Sequence, residues 1–140
     1  MPKRLLILAF AGLTALTTFG NSQQVPQGNT TPGRHTSATS GREMYAAYCT
    51  MCHGRDGRGT GPAAQGLTTH PTDLTTLARK NGGKYPADHV ADVLRSGAHG
   101  SQDMPTWGPV FRSMNKANPA GEEQKRIAAM VEFIRTSQVK

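Results

Sequence analysis

The feature that most constrains this chain is a pair of cysteines three positions apart, followed at once by a histidine: Cys49, Cys52 and His53. Apolar residues recur at helical spacing from Glu43 to Cys52, which predicts that the motif lies at the end of a helix. Positions i, i+3 and i+4 share one face of a helix, so two thiols and an imidazole would lie side by side. We therefore expect these three side chains to act together on one bound group.

The composition independently suggests that a bound group is needed. The 140 residues suffice for one domain, but only 36% belong to the apolar set AVILMFWYC and only 6% are aromatic. The 16 glycines and nine prolines indicate long loops. A small, loop-rich domain usually needs a metal, a disulfide or a cofactor to be stable.

The spacing Cys-x-x-Cys-His is typical of covalent haem c attachment, in which the thiols bond the haem vinyl groups and the imidazole binds iron. A thioredoxin-like pair would open a helix after a strand, and the sequence predicts no such strand. A zinc site needs four ligands, and the other histidines are too scattered to complete one. A disulfide between the two cysteines leaves the histidine and the thin core unexplained. We predict one covalent haem c on Cys49 and Cys52, with His53 as an iron ligand.

The first 40 residues are predicted to lie outside the folded domain. Lys3 and Arg4 precede an uncharged, mostly apolar run, which is typical of a signal peptide over residues 1–20. The run is short for a membrane helix, which needs about 20 residues, so an uncleaved anchor is the alternative. Residues 21–40 are polar and predict a flexible linker. We expect an exported, periplasmic protein, or one anchored to the membrane and facing the periplasm.

Residues 41–140 are predicted to form an all-α domain with long loops, because apolar residues recur at helical spacing and no alternating strand pattern is present. Helices are predicted over 43–52 and 72–80, from Pro86 to a cap at Gly97, and from Asn118 and Pro119 to about Arg135. The formal net charge is +7, but the basic residues are scattered and lack interleaved aromatics. This pattern does not predict a nucleic-acid partner.

A second iron ligand is expected well downstream of His53, where the chain has had room to fold over the haem. Met104 is favoured, because it precedes Pro105 in a Gly- and Pro-rich loop between two predicted helices. Met44, Met51 and Met130 lie among apolar residues at helical spacing and are better explained as core residues. His99 in the same loop is the rival, and a His/His pair would also carry electrons, at a lower potential than His/Met.

Four stretches occur in the order that is characteristic of class I cytochrome c, which the chain resembles from about Gly41 to Gln138. They are the motif Cys49–His53, then Gly61-Pro62, then Met104-Pro105-Thr106-Trp107-Gly108, and a last helix with Val131-Glu132-Phe133-Ile134. The resemblance implies a cytochrome c-like helical domain wrapped around one covalently attached haem. The long polar loop from Arg55 to Tyr85 departs from the familiar pattern.

The resemblance also implies residue roles. His53 and Met104 would be the axial ligands, and the Pro62 carbonyl would accept a hydrogen bond from the other ring nitrogen of His53. The first helix, at Gly41 and Tyr45, would cross the last helix near Phe133. Trp107 would lie beside the haem and reach a propionate, with simple core packing as the alternative.

The implied function is electron transfer rather than catalysis. A mono-haem carrier would exchange single electrons with redox proteins, as a soluble shuttle or as a haem subunit of a respiratory or dehydrogenase complex. The alternative is a haem-based ligand sensor or a peroxidase-like enzyme in which Met104 is displaced. A peroxidase of this kind would want a second haem, and the sequence has one attachment motif.

Overall fold

The computed structural model describes residues 36–97 and 101–139. In these two ranges the secondary structure is helical, without strands, which confirms the all-α prediction. The helices are α1 (Gly41–Tyr48), α2 (Thr50–His53), α3 (Leu77–Lys80), α4 (Ala87–Ser96), α5 (Trp107–Ser113) and α6 (Pro119–Thr136).

The single helix predicted over 43–52 is two helices. Helix α1 begins earlier, because the Ser40 hydroxyl caps it by accepting the Glu43 N–H at 3.3 Å. The backbone turns at Cys49, with φ −108° and ψ −28°, and α2 follows. Hydrogen bonding continues across this turn, since the Cys49 N–H donates to the Tyr45 carbonyl at 2.9 Å. The attachment motif thus lies on a short, separately oriented turn of helix.

Two of the other predicted helices form as expected. Helix α4 ends at Gly97, which has φ +71° and caps it in the left-handed conformation. Helix α6 begins at Pro119, and the Asn118 side chain accepts the Gly121 N–H at 3.0 Å. The helix predicted over 72–80 is instead a 3₁₀ turn, Leu74–Thr76, followed by α3.

Helix α5 was not predicted. Its sequence WGPVFRS contains Gly108 and Pro109, which ordinarily argue against a helix. Both residues fall in the first turn, where a proline costs little because its missing N–H would have no helical partner.

The core forms where α1, α4 and α5 pack against α6. Its buried members are Met44, Tyr45, Val90, Leu94, Trp107, Phe111, Ile127, Met130 and Ile134. A Cβ on Gly41 would overlap the Ala129 carbonyl and lie 2.6 Å from the Phe133 Cβ, so α1 and α6 touch backbone to backbone. The Tyr45 and Phe133 rings are 5.2 Å apart, which confirms the predicted crossing.

Residues 36–40, assigned by the sequence to the flexible linker, are instead held against the domain. The buried guanidinium of Arg126 donates to the Thr36 Oγ1 at 2.9 Å and to its carbonyl at 3.0 Å. The Thr36 hydroxyl also lies 2.7 Å from the Tyr48 hydroxyl. The predicted signal peptide and the rest of the linker fall outside the described residues. Among the described helices, none has the length and apolarity needed to span a bilayer.

Candidate haem site

The two thiols of the motif are free and partly buried. Burial, with a smaller contribution from neighbouring Cys52, raises the pKa of the Cys49 thiol to about 12. The Cys49 side chain packs against the hydrophobic core. No disulfide joins the two cysteines in the structure.

The His53 ring is oriented by one backbone carbonyl. Its Nδ1 lies 3.0 Å from the Thr72 carbonyl oxygen. Because a carbonyl can only accept, Nδ1 carries the proton and Nε2 is the nitrogen left to bind iron. Burial lowers the pKa of the imidazole, although the bond to Thr72 opposes that shift, and the neutral ring is the form that binds metals.

The resemblance had predicted the Pro62 carbonyl for this role, and the structure places Thr72 there instead. Pro62 lies in a loop that runs back along α2. In that loop the Gly61 N–H donates to the Cys52 carbonyl at 3.0 Å, and the Ala63 N–H donates to the Met51 carbonyl at 2.8 Å. This loop satisfies the last carbonyls of the motif helix while its Pro62 side chain is exposed.

Thr72 is held in place by the glycine-rich loop that follows the motif. The Leu74 N–H donates to the Gly57 carbonyl at 2.8 Å. Gly59 has φ +82°, and a Cβ there would overlap the Pro71 carbonyl. From the sequence, glycines predicted only long loops. In the structure Gly59 also lets Pro71 approach closely, which the sequence prediction missed.

Met104 lies in the loop before α5, half-buried against the core. The neighbouring Asp103 carboxylate accepts the Thr69 N–H at 3.0 Å, which ties this loop to the segment that orients His53. The rival ligand, His99, falls outside the described residues. The assignment of Met104 as the second ligand stays a prediction.

Trp107 is 8% exposed and begins α5. Its ring lies 5.2 Å from that of Tyr48 and stacks on Phe111 at 5.7 Å. These contacts account for the residue as a core aromatic beside the motif, since Tyr48 directly precedes Cys49. A contact of Trp107 with a haem propionate stays a prediction.

A buried carboxylate, which the sequence did not predict, lies where α4, α5 and α6 meet. Glu123 of α6 binds Arg112 at 2.6 Å and lies 3.8 Å from Arg95, so it joins α4, α5 and α6. A Cβ on Gly108 would overlap the Arg95 carbonyl and lie 2.9 Å from Glu123 Oε1. Such a cluster has no signature in helical periodicity, because it depends on three helices meeting.

The donor set and its surroundings fit a haem. Two thiols and a neutral imidazole occur within five residues. Partly buried apolar side chains pack against the hydrophobic core, including Tyr48, Leu74, Leu77, Tyr85, Met104, Val110 and Met114. A large flat apolar cofactor would cover such half-buried groups.

An all-α domain with this attachment motif defines a c-type cytochrome. The family model described as "Cytochrome C oxidase, cbb3-type, subunit III" matches residues 36–118, more than half of the chain. The chain belongs to this family of c-type cytochrome domains, and it binds covalent haem c through the Cys-x-x-Cys-His motif. Comparison with curated proteins and with solved structures gave no match.

Proposed function

We propose that this c-type cytochrome is a mono-haem electron carrier with His53 and Met104 as axial ligands. The observation that carries the proposal is the hydrogen bond from His53 Nδ1 to the Thr72 carbonyl, which leaves Nε2 for iron. Met104 also supports it, as a half-buried thioether in a loop that is hydrogen-bonded to the same segment.

When bound, the haem supplies a one-electron couple between ferric and ferrous iron. The chain contributes a neutral imidazole of fixed tautomer and a thioether, both uncharged, in partly apolar surroundings. Uncharged ligands and low polarity favour the less charged ferrous state, so we expect a comparatively high potential. His53 lies on α2 with its ring bonded to the Thr72 carbonyl, and Met104 lies in a hydrogen-bonded loop, which limits rearrangement when the oxidation state changes.

We further propose that the partners are redox proteins, met in the periplasm or at its membrane surface. Met51, between the two cysteines, is 57% exposed and gives the attachment site an apolar contact point. The net positive charge favours acidic partners in brief, charge-steered encounters. The predicted signal peptide supports export. A soluble shuttle and a haem subunit of a larger respiratory complex both fit these features.

A sensor would need Met104 to leave, and a peroxidase would also need an acid–base group near it. Asp103 is the nearest carboxylate in sequence, and its Oδ2 already accepts the Thr69 N–H. This engagement supports the carrier over the peroxidase.

The first experiment compares the optical spectrum and redox titration of the native holoprotein with those of Met104→Ala. We expect the native protein to show the weak far-red band of ferric Met ligation and one high-potential step, and the variant to lose the band and drop in potential. Met51→Ala, an exposed methionine replaced in the same way, is the control and should retain both.

Two results would contradict the proposal. If Met104→Ala keeps the native spectrum, another group is the ligand, and His99→Ala becomes the next variant. If the reduced native protein binds carbon monoxide rapidly and stoichiometrically at neutral pH, the site is open or easily opened. The sensor or enzyme alternative would then replace the carrier.

A further inference from the structure

We propose that Asp103 is a positioning residue for Met104, and that it acts by fastening the Met104 loop to the segment that orients His53. The inference rests on the proposed role of Met104 as an iron ligand. It adds a specific residue, a specific bond and a measurable effect on how firmly that ligand is held.

The Asp103 side chain makes a long-range hydrogen bond to the segment that contains Thr69. Asp103 Oδ2 accepts the Thr69 backbone N–H at 3.0 Å, although the two residues are 34 positions apart. A carboxylate that accepts a backbone N–H makes a charge-assisted hydrogen bond, stronger than a neutral one. The Asp103 N–H in turn donates to the Ser101 Oγ at 3.3 Å. Because Asp103 directly precedes Met104, fixing its side chain restricts where the Met104 backbone can lie.

The segment that contains Thr69 also orients His53, the other proposed iron ligand. Thr72 accepts the His53 ring N–H three residues after Thr69. Three residues span at most about 11 Å when fully extended, so both contacts lie on one short stretch of chain. Pro71 restricts the backbone between them.

This stretch is itself fixed at its far end. Asp73 accepts the Thr75 N–H at 2.8 Å and the Thr75 hydroxyl at 2.7 Å, which caps the 3₁₀ turn that follows. The Leu74 N–H donates to the glycine-rich loop at Gly57. Asp103 is therefore bonded to a segment that has further hydrogen bonds of its own.

Loss of the Asp103 bond should increase the fraction of molecules in which the Met104 loop has moved away. An external ligand that needs the vacated position, such as imidazole, would then bind the ferric holoprotein more tightly. We expect a roughly fivefold gain in apparent imidazole affinity for Asp103→Ala, in keeping with the net worth of one hydrogen bond to a charged group at a partly exposed site.

Two further variants separate the bond from other effects. Asp103→Asn keeps a carbonyl acceptor for the Thr69 N–H but loses the charge, so its affinity for imidazole should lie between those of the native protein and Asp103→Ala. Asp88→Ala, an exposed aspartate on α4, makes the same change in charge and should leave the affinity unchanged. The proposal is overturned if Asp103→Ala matches Asp88→Ala, or if Asp103→Asn behaves like Asp103→Ala.

The same measurement in a Met104→Ala background distinguishes the two proposals. If Met104 is the ligand, Met104→Ala alone tightens imidazole binding strongly, and adding Asp103→Ala changes nothing more. If Met104→Ala leaves imidazole binding unchanged, the proposed ligand is wrong. If Met104→Ala tightens binding but Asp103→Ala does not, the ligand stands and the positioning role is overturned.

Discussion

Tyr45 shows how one residue supports the motif from within the core. It is 4% exposed, and its hydroxyl donates to the Gly54 carbonyl at 2.8 Å, directly after His53. Burial, together with the nearby Cys49 and Asp56, raises the pKa of Tyr45 to about 12. The phenol therefore remains a donor over the whole neutral range, and it fixes the end of the motif helix.

Replacing Tyr45 with Phe should lower the free energy of unfolding by about 1–2 kcal/mol at neutral pH, because it leaves a buried carbonyl without its donor. The raised pKa makes this difference depend on pH. Below pH 10 both folded and unfolded chains keep the phenol protonated, and the difference is fully present. Between pH 10 and about 12 only the unfolded chain loses its proton, so the stabilisation is lost.

Denaturant unfolding of the native protein and Tyr45→Phe at a series of pH values measures this difference. A difference that stays constant from pH 7 to pH 12 would show that the phenol does not titrate as the buried geometry requires. Tyr85 must be considered as well, because burial also raises its pKa to about 12. Tyr85→Phe should therefore show its own loss of stabilisation over the same range.

At the scale of single residues, the sequence predicted the attachment residues but not the hydrogen-bond partner of the His53 ring. Cys49, Cys52 and His53 lie within five positions, so their joint geometry follows from helical spacing alone. The Thr72 carbonyl lies 19 residues further on. A backbone acceptor has no side-chain identity to recognise, and its position depends on the path of the whole loop between.

At the scale of the helices, the crossing of α1 and α6 leaves no room for a side chain at Gly41. Gly41→Ala should destabilise the protein by about 3 kcal/mol, because the added Cβ would overlap the Ala129 carbonyl and crowd the Phe133 Cβ. Ala129 and Phe133 lie within α6, whose regular backbone cannot yield locally. Thermal or denaturant unfolding of the holoprotein measures the loss.

Gly66→Ala is the matched control for this prediction. A Cβ on Gly66 would have no neighbouring atom within 4 Å. We expect a change within about 0.5 kcal/mol, since surface substitutions away from special features are usually that small. Equal effects of the two substitutions would mean that the helix contact is not the cause.

Helix periodicity and caps were sufficient to predict α4 and α6, because both signals are local to each helix. Helix α5 was missed, since Gly108 and Pro109 argue against a helix when the segment is considered alone. The structure shows why glycine is needed there: the backbone of α5 passes against the Arg95 carbonyl and the Glu123 carboxylate. Packing against two other helices overrides the weak local propensity.

For the whole molecule, the structured domain includes residues that composition assigned to the linker. Thr36 accepts two hydrogen bonds from the buried Arg126, which is also bonded to Glu122 at 2.7 Å. The guanidinium carbon of Arg126 lies 6.0 Å from the centre of the Phe111 ring. The N-terminal segment thus satisfies a charge that the helices alone would leave partly unpaired in the interior.

Thr36→Val in the full chain should cost about 1–2 kcal/mol, because it removes the hydroxyl that bonds both the buried Arg126 Nη1 and the Tyr48 hydroxyl. Thr39→Val makes the same change three residues later, where the hydroxyl is bonded to the exposed Ser37, and should cost less than about 0.5 kcal/mol. Unfolding of both holoproteins under one set of conditions measures the contrast. Equal stability of the two would place the domain boundary back at Gly41.

The sequence by itself determined the cofactor, its attachment residues, the all-α class and the limits of α4 and α6. Each of these follows from residue types at short, fixed spacings. The tertiary structure decided that Thr72 orients His53, that Asp103 joins the Met104 loop to Thr69, and that Arg126 holds Thr36. These contacts join residues 19, 34 and 90 positions apart. Such pairs depend on where loops and helices meet in space, and no local pattern in the chain encodes that.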